Sequence, residues 1–324
     1  MSKPENKATW QSSIVNGVQT KSTLVWFRNL KWTLGSLLAV GLIAFTAWTT
    51  YISFEPDQFD VVAEALRNAK KPTQDQLPYG YIYCNTLAKI GETLLNKNGG
   101  YLSNDLLLDD YVPVPKIDNM PSWEFGVIVM LRDGASALRN NFARSQSQSK
   151  ENFILSQAEP HFYFTHDSWA LPSTEAEYQA GIDRLRFYLN DLNNPKANSA
   201  FFYSRADNLD QYLQVVLKRL GDYSFRLSAS SVSVLQVGLA NQKVTVTKTP
   251  WMEVDNVFWE ARGATWALLH IFKAIEADFQ VTLRGKAATV TIRQIIRELE
   301  ETQAPLLSPV ILNGDGFGLF ANYS

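Results

Sequence analysis

Between Lys31 and Glu55 no residue carries a charge, and the centre of that stretch, Trp32 to Tyr51, reads WTLGSLLAVGLIAFTAWTTY. As a helix those residues rise about 30 Å, the thickness of a bilayer's hydrocarbon core. Trp26, Trp32, Trp48 and Tyr51 fall near the two ends, where amphipathic rings favour the membrane interface. A cleaved signal would have a shorter apolar region, about 7–15 residues, ending on small side chains. This stretch is longer, begins late and ends in Trp48-Thr49-Thr50-Tyr51, so it predicts a retained transmembrane helix over 32–51. Gly35 and Gly41 are not spaced as GxxxG, so nothing in the span points to pairing through it.

The flanks predict an orientation. Lys3, Lys7, Lys21, Arg28 and Lys31 stand before the span against Glu5 alone, a net +4. The rest of the chain carries −6 of the overall −2 and opens with Glu55, Asp57 and Asp60. Basic flanks stay in the cytoplasm. The expected organisation is a cytoplasmic tail, residues 1–31, the span, and a periplasmic domain, residues 52–324. That places the chain in the inner membrane of a Gram-negative cell, crossing once.

Composition narrows the function. The chain has 324 residues, 46% hydrophobic and 19% charged, with one cysteine. A single Cys84 excludes a disulfide scaffold, and the near-neutral charge argues against a nucleic-acid partner. A domain of this size has enough core to fold without staples.

The outer part reads as mainly α, a helical bundle with room for a small β-hairpin. Asp57 is expected to cap a short helix reaching Lys70. A second helix starts near Tyr81 and stops at Asn96–Gly100. Pro121 suits the first turn of a helix running to about Ser149. EPHFYFTHD (159–167) reads as extended, and Thr174 with Glu177 as a capping box. Heptads follow. Leu209, Val216 and Tyr223, with Leu213, Leu220 and Leu227, mark a helix from Ala206 to about Ala229. Phe258, Thr265, Phe272 and Phe279, with Ala261, Leu268 and Ile275, mark another from Asp255 to Phe279. These are expected to be two seams of one coiled-coil-like packing. Alternating valines from Val232 to Val246 around Ala240-Asn241-Gln242 predict the hairpin, and a last helix is expected from about Ala287 to Gln303. No internal repeat is evident.

Several strings, GGYLSND (99–105), DNMPSWEFG (118–126), ALRNNFARSQSQS (137–149), RADNL (205–209), RLSAS (226–230), TPWMEVDNVFWEARGATWALLH (249–270), RQIIRELE (293–300) and ILNGDGFG (311–318), run through nearly the whole outer part. In these the chain resembles family 2333 of the domains of unknown function, an uncharacterised family of gamma-class Gram-negative bacteria. The resemblance implies one inner-membrane span and a mostly helical domain. It lends no activity, cofactor or catalytic residue.

Candidate chemistry is sparse. His161 and His166, flanked by Glu159 and Asp167, could contribute to a divalent-metal site, though on a strand they would face opposite sides. His270 sits in a heptad helix and reads as a partly buried polar residue. Cys84 has no nearby base. Asn313–Gly318 lacks the setting of a phosphate loop and reads as a tight turn. Asp118 with Glu124, or Glu253 with Asp255 and Glu260, could pair as the acid and base of a glycan-cleaving enzyme. Equally, Asp118 or Asn119, and Asp255, could cap the helices they precede. Trp123, Phe125, Trp169, Trp251, Trp259 and Trp266 read mostly as core, any exposed ones marking a protein or glycan surface.

The sequence therefore points first to a membrane-anchored periplasmic scaffold or interaction protein, with no cofactor and no catalysis. Its partners would be the bilayer and other envelope proteins or a second copy. The alternative is a cell-wall glycan binder or glycosidase built on those paired carboxylates.

Overall fold

The computed structural model describes residues 7–105, 118–144, 151–197, 199–229, 234–236, 243–245, 249–250, 253–306 and 311. The chain divides into two units, Met1–Ile52 and Ser53–Ser324.

The first unit is one helix, α1 (Lys7–Ile52). Within it Asn29–Ile52 is long and apolar enough to cross a membrane. At about 1.5 Å per residue the stretch spans roughly 36 Å. Trp32, Trp48 and Tyr51 present their rings outward. Thr33, Ser36, Thr46 and Thr50 fold their hydroxyls onto carbonyls three or four residues back, so these polar groups are satisfied within the helix.

The second unit is mainly helical: α2 (Val61–Ala69), α3 (Tyr81–Asn96), α4 (Asn119–Ala137), α5 (Phe153–Phe162), α6 (Thr174–Asn193), α7 (Ala206–Ser228), α8 (Val254–Asp278), α9 (Gln280–Gly285) and α10 (Thr289–Glu301). A π-helical turn, Leu138–Phe142, follows α4. Strands β1 (Val234–Gln236) and β2 (Lys243–Thr245) pair antiparallel, with Leu235 opposite Val244. The hairpin's turn lies outside the described residues. So do Pro113 and Pro115, Ser145, Ser147 and Ser149, Trp251, and the glycine-rich stretch Asn313–Gly318.

Local chemistry sets several helix starts differently from expectation. Asp60, not Asp57, caps α2, its Oδ1 accepting from the N–H groups of Val62 (2.9 Å) and Ala63 (3.0 Å). The residues before it are held elsewhere: Glu55 is forked by Arg262 (2.6 and 2.8 Å), and the Phe59 ring stacks on His270 at 4.0 Å. Residues 159–162, read as extended, form the last turn of α5. Asn152 caps that helix through Ile154 and Leu155, and Leu155, Ala158 and Phe162 bury one face of it. Ser173, not Thr174, caps α6. Thr174 instead donates to the Thr165 and Ser168 carbonyls, while Glu177 pairs with His161.

The packing partners also differ from the heptad reading. The main contact of α8 is α4, not α7. Helix α8 is buried nearly all round, as a central helix must be, with Ala261, Leu268, Ile271, Phe272 and Ile275 all enclosed. On α7 one seam, Leu209, Val216 and Tyr223, is buried, whereas Leu213 and Leu220 are half-buried and Leu217 is 65% exposed. Arg219 forks onto Asp133 of α4 (2.7 and 3.1 Å), and Arg226 forks onto Glu260 of α8. A ring cluster of Tyr83, Phe142, Phe202, Tyr212 and Phe279 fills the space between α3, the π turn, α7 and the end of α8.

Candidate functional site

At Gly126 and Gly263, helices α4 and α8 meet backbone to backbone. A Cβ on Gly126 would lie 1.9 Å from the Glu260 carbonyl oxygen, and one on Gly263 would lie 2.0 Å from that of Trp123. Gly134, further along α4, faces Ile271, further along α8, so the two helices run parallel. Their sequences share a spacing: Asp118-Asn119 precedes Gly126 as Asp255-Asn256 precedes Gly263, each pair offset by 137 residues. The shared spacing lies within two of the family strings and shows only when they are laid one over the other. Parallel running with matched glycines brings the two Asp-Asn pairs to the same end of the helix pair.

That juxtaposition regroups the candidate carboxylates. Asp118 stands at the N-cap of α4 and makes no capping bond. Glu253 stands at the N-cap of α8, is exposed, and makes none either. Asp255 is 4% exposed. Burial first, and then the neighbouring Asp118 carboxyl, push its pKa up from 3.8 to about 6. Burial also raises Asp118, while the Asn256 side chain opposes that rise. Asp118 Oδ1, Asp255 Oδ2 and Asn256 Oδ1 are buried and lack a hydrogen-bond partner.

Glu124 belongs to a different enclosure. Its carboxylate pairs with Lys97 at 2.5 Å and accepts the N–H groups of Leu102 (2.9 Å) and Ser103 (2.8 Å). Burial raises its pKa against the pull of Lys97. The side chain has no solvent exposure, so its role is to fasten the turn after α3 to α4. The sequence held no signal for Lys97 as its partner, because the pairing spans 27 positions across a loop.

The histidines are spread over three settings. His161 Nδ1 lies 2.7 Å from Glu177 Oε2, bridging α5 and α6. His166, in the loop beyond α5, packs its ring against Phe125 at 4.9 Å. His270 is wholly buried: Nδ1 donates to the Trp266 carbonyl (2.8 Å) and Nε2 accepts from the Phe59 N–H (3.1 Å). Burial lowers its pKa to about 4, fixing the neutral ring. Among the described residues no three His, Cys, Asp or Glu side chains gather as metal ligands.

Asp278 was not singled out in the sequence. It ends α8 fully enclosed and accepts the Tyr83 N–H at 2.7 Å, capping α3, whose own N-cap residue is Gly80 at φ 81°. Burial raises it to about 7 against the N–H groups of Tyr83, Gly80 and Ile82. Cys84, in the same turn, is buried and its thiol is pushed well up by burial.

Of the tryptophans, Trp123, Trp259 and Trp266 are interior, and Trp169 is exposed beside Leu171, which is 99% exposed. One cleft of about 670 Å³ opens between α2, α8 and α10, lined by Gln58, Phe59, Asp60, Lys273, Glu276 and Glu300 among others. Lys273 and Glu300 pair across it at 2.7 Å.

The model of a family described as "Uncharacterized protein conserved in bacteria (DUF2333)" matches residues 26–324. A search of curated proteins and a search of solved structures each found no match.

Proposed function

This chain belongs to the DUF2333 family, and we propose that it is a non-catalytic, membrane-anchored scaffold of the Gram-negative envelope. Residues 1–31 would be cytoplasmic, 32–51 would cross the inner membrane, and the helical domain would lie in the periplasm. One observation carries the reading: an apolar helix of membrane-spanning length, basic on its N-terminal side, precedes a helical unit in which four ion pairs join separate segments. Lys97–Glu124, Arg219–Asp133, Arg226–Glu260 and Arg262–Glu55 all tie one element to another.

The interaction half of the proposal rests on α7. Leu213, Leu217 and Leu220 recur at i, i+4 and i+7 and are only partly covered, the pattern of a helix face that can receive a partner helix. A tether raises the effective concentration of such a surface toward other membrane proteins, or toward a second copy.

The glycan-cleaving alternative has less behind it. Glu124 is sealed, and Trp123, Trp259 and Trp266 are interior, so no tryptophan-lined carboxylate cleft appears among the described residues.

A photo-crosslinking residue at Leu217 in intact cells tests the scaffold. It should trap a discrete, reproducible adduct with an envelope protein or with the chain itself, while the same probe at exposed Lys218 traps less. Equal, diffuse crosslinking from both positions would contradict an interaction face on α7.

A further inference from the structure

We propose that Asp118, Asp255 and Asn256, brought together where α4 and α8 begin, bind a hard divalent cation of the Mg²⁺ or Ca²⁺ class.

The argument starts from the shared backbone geometry. Gly126 and Gly263 let the two helices approach until their carbonyls would collide with any Cβ. With equal spacing back to each Asp-Asn pair, this contact draws two carboxylates to one place. A close pair of carboxylates in a poorly hydrated setting is unfavourable unless something positive lies between them.

The independent observation is the set of unused oxygens. Asp255 is more than nine-tenths buried, yet its Oδ2 has no partner. Asp118 Oδ1 and Asn256 Oδ1 are also buried and unpartnered. A buried polar atom left unpaired is expensive. Asp118, at the N-cap of α4, makes no capping bond, and Asp255 lies in the first turn of α8, whose N-cap residue is Glu253. Three oxygens, two from carboxylates and one from an amide, form the donor set of a hard cation. Mg²⁺ in particular keeps several waters and binds through one or two carboxylates. The absence of histidine and cysteine argues against zinc or copper. Bound, the cation would pin the two helix starts and reinforce the glycine crossing.

The test uses the full-length protein in detergent, stripped with chelator and then titrated separately with MgCl₂ and CaCl₂, following the melting temperature. At a cation concentration about 100-fold above its dissociation constant, the melting temperature should rise by roughly 5–10 °C. Asp255→Asn and Asp118→Asn should abolish that rise. Glu253→Gln, on the same turn but exposed, should keep it. If one aspartate variant fails to fold, the other decides, and calorimetric titration of the unmutated protein should show one cation bound. No response to either cation in the unmutated protein would overturn the proposal, as would an equal response in a folded Asp118→Asn or Asp255→Asn variant.

Discussion

Lys97 Nζ lies 2.5 Å from Glu124 Oε1, and the two side chains are 1% and 0% exposed. The Lys97 ammonium also donates to the Gly100 carbonyl. The same carboxylate also holds the N–H groups of Leu102 and Ser103, so the turn that ends α3 is nailed down at several points. Breaking a buried pair by removing one partner costs about 3–5 kcal/mol, because the other charge is left behind. Lys97→Met should destabilise the protein by about that much in a denaturant titration. Adding Glu124→Gln to it should recover part of the loss. A Lys97→Met protein as stable as the parent would show that the pair contributes little.

The glycine crossing makes a sharper prediction. A methyl group at Gly126 or Gly263 would strike backbone, which cannot swing aside as a side chain can. Gly126→Ala and Gly263→Ala should each destabilise by about 3 kcal/mol or more, through overpacking and helix separation. Gly221→Ala is the control. It lies in α7 with nothing within 4 Å of the new methyl, and alanine is the better helix former. It should leave stability unchanged or raise it by about 0.5–1 kcal/mol. Equal effects at Gly126 and Gly221 would deny the close approach of α4 and α8.

Much of the helical outline was legible in the sequence, whereas the partnerships were not. The heptads of α7 and α8 identify their helical stretches, because a buried stripe repeats with the helix turn. They cannot say which helix lies opposite. What decides that is Gly126 against Gly263, two residues without a side chain to leave a hydrophobic signature. The repeated Asp-Asn-to-glycine spacing was the one available clue, and it shows only when 118–126 is laid over 255–263. The end of α5 reads as extended because Pro160 and the aromatic run Phe162-Tyr163-Phe164 suggest a strand, and the helix's start signal, Asn152, lies before that segment. The capping of α6 slipped by one residue because Ser173 and Thr174 are chemically equivalent until tertiary bonds choose between them. Asp278 could not be recognised at all, since the N–H it accepts lies 195 positions away.

Two enclosed groups should shape the pH dependence of stability, in opposite senses. Asp278 is raised from 3.8 to about 7 by burial. Between those values the folded chain keeps a proton that the unfolded chain has released. Its contribution is therefore full at the acid end and is lost as pH rises toward 7. His270 is lowered from 6.5 to about 4 by burial. Between those values the unfolded chain holds the extra proton, so that contribution is lost as pH falls. Asp278→Asn, which keeps an acceptor for the Tyr83 N–H, should flatten the decline from pH 4 to 7 in a series of thermal melts. His270→Gln should flatten the acid-side decline from pH 6.5 to 4. Profiles parallel to the parent's would contradict these assignments.

The proposed envelope scaffold depends on which side of the membrane the helical unit occupies. Alkaline phosphatase, active only outside the cytoplasm, and a fluorescent protein, which matures in the cytoplasm, can each be fused to the carboxyl end of the intact chain. Phosphatase activity retained in the membrane fraction, with no fluorescence, is the predicted result. Fluorescence without phosphatase activity, or a mature product released into the soluble fraction, would contradict a retained span with the helical domain in the periplasm.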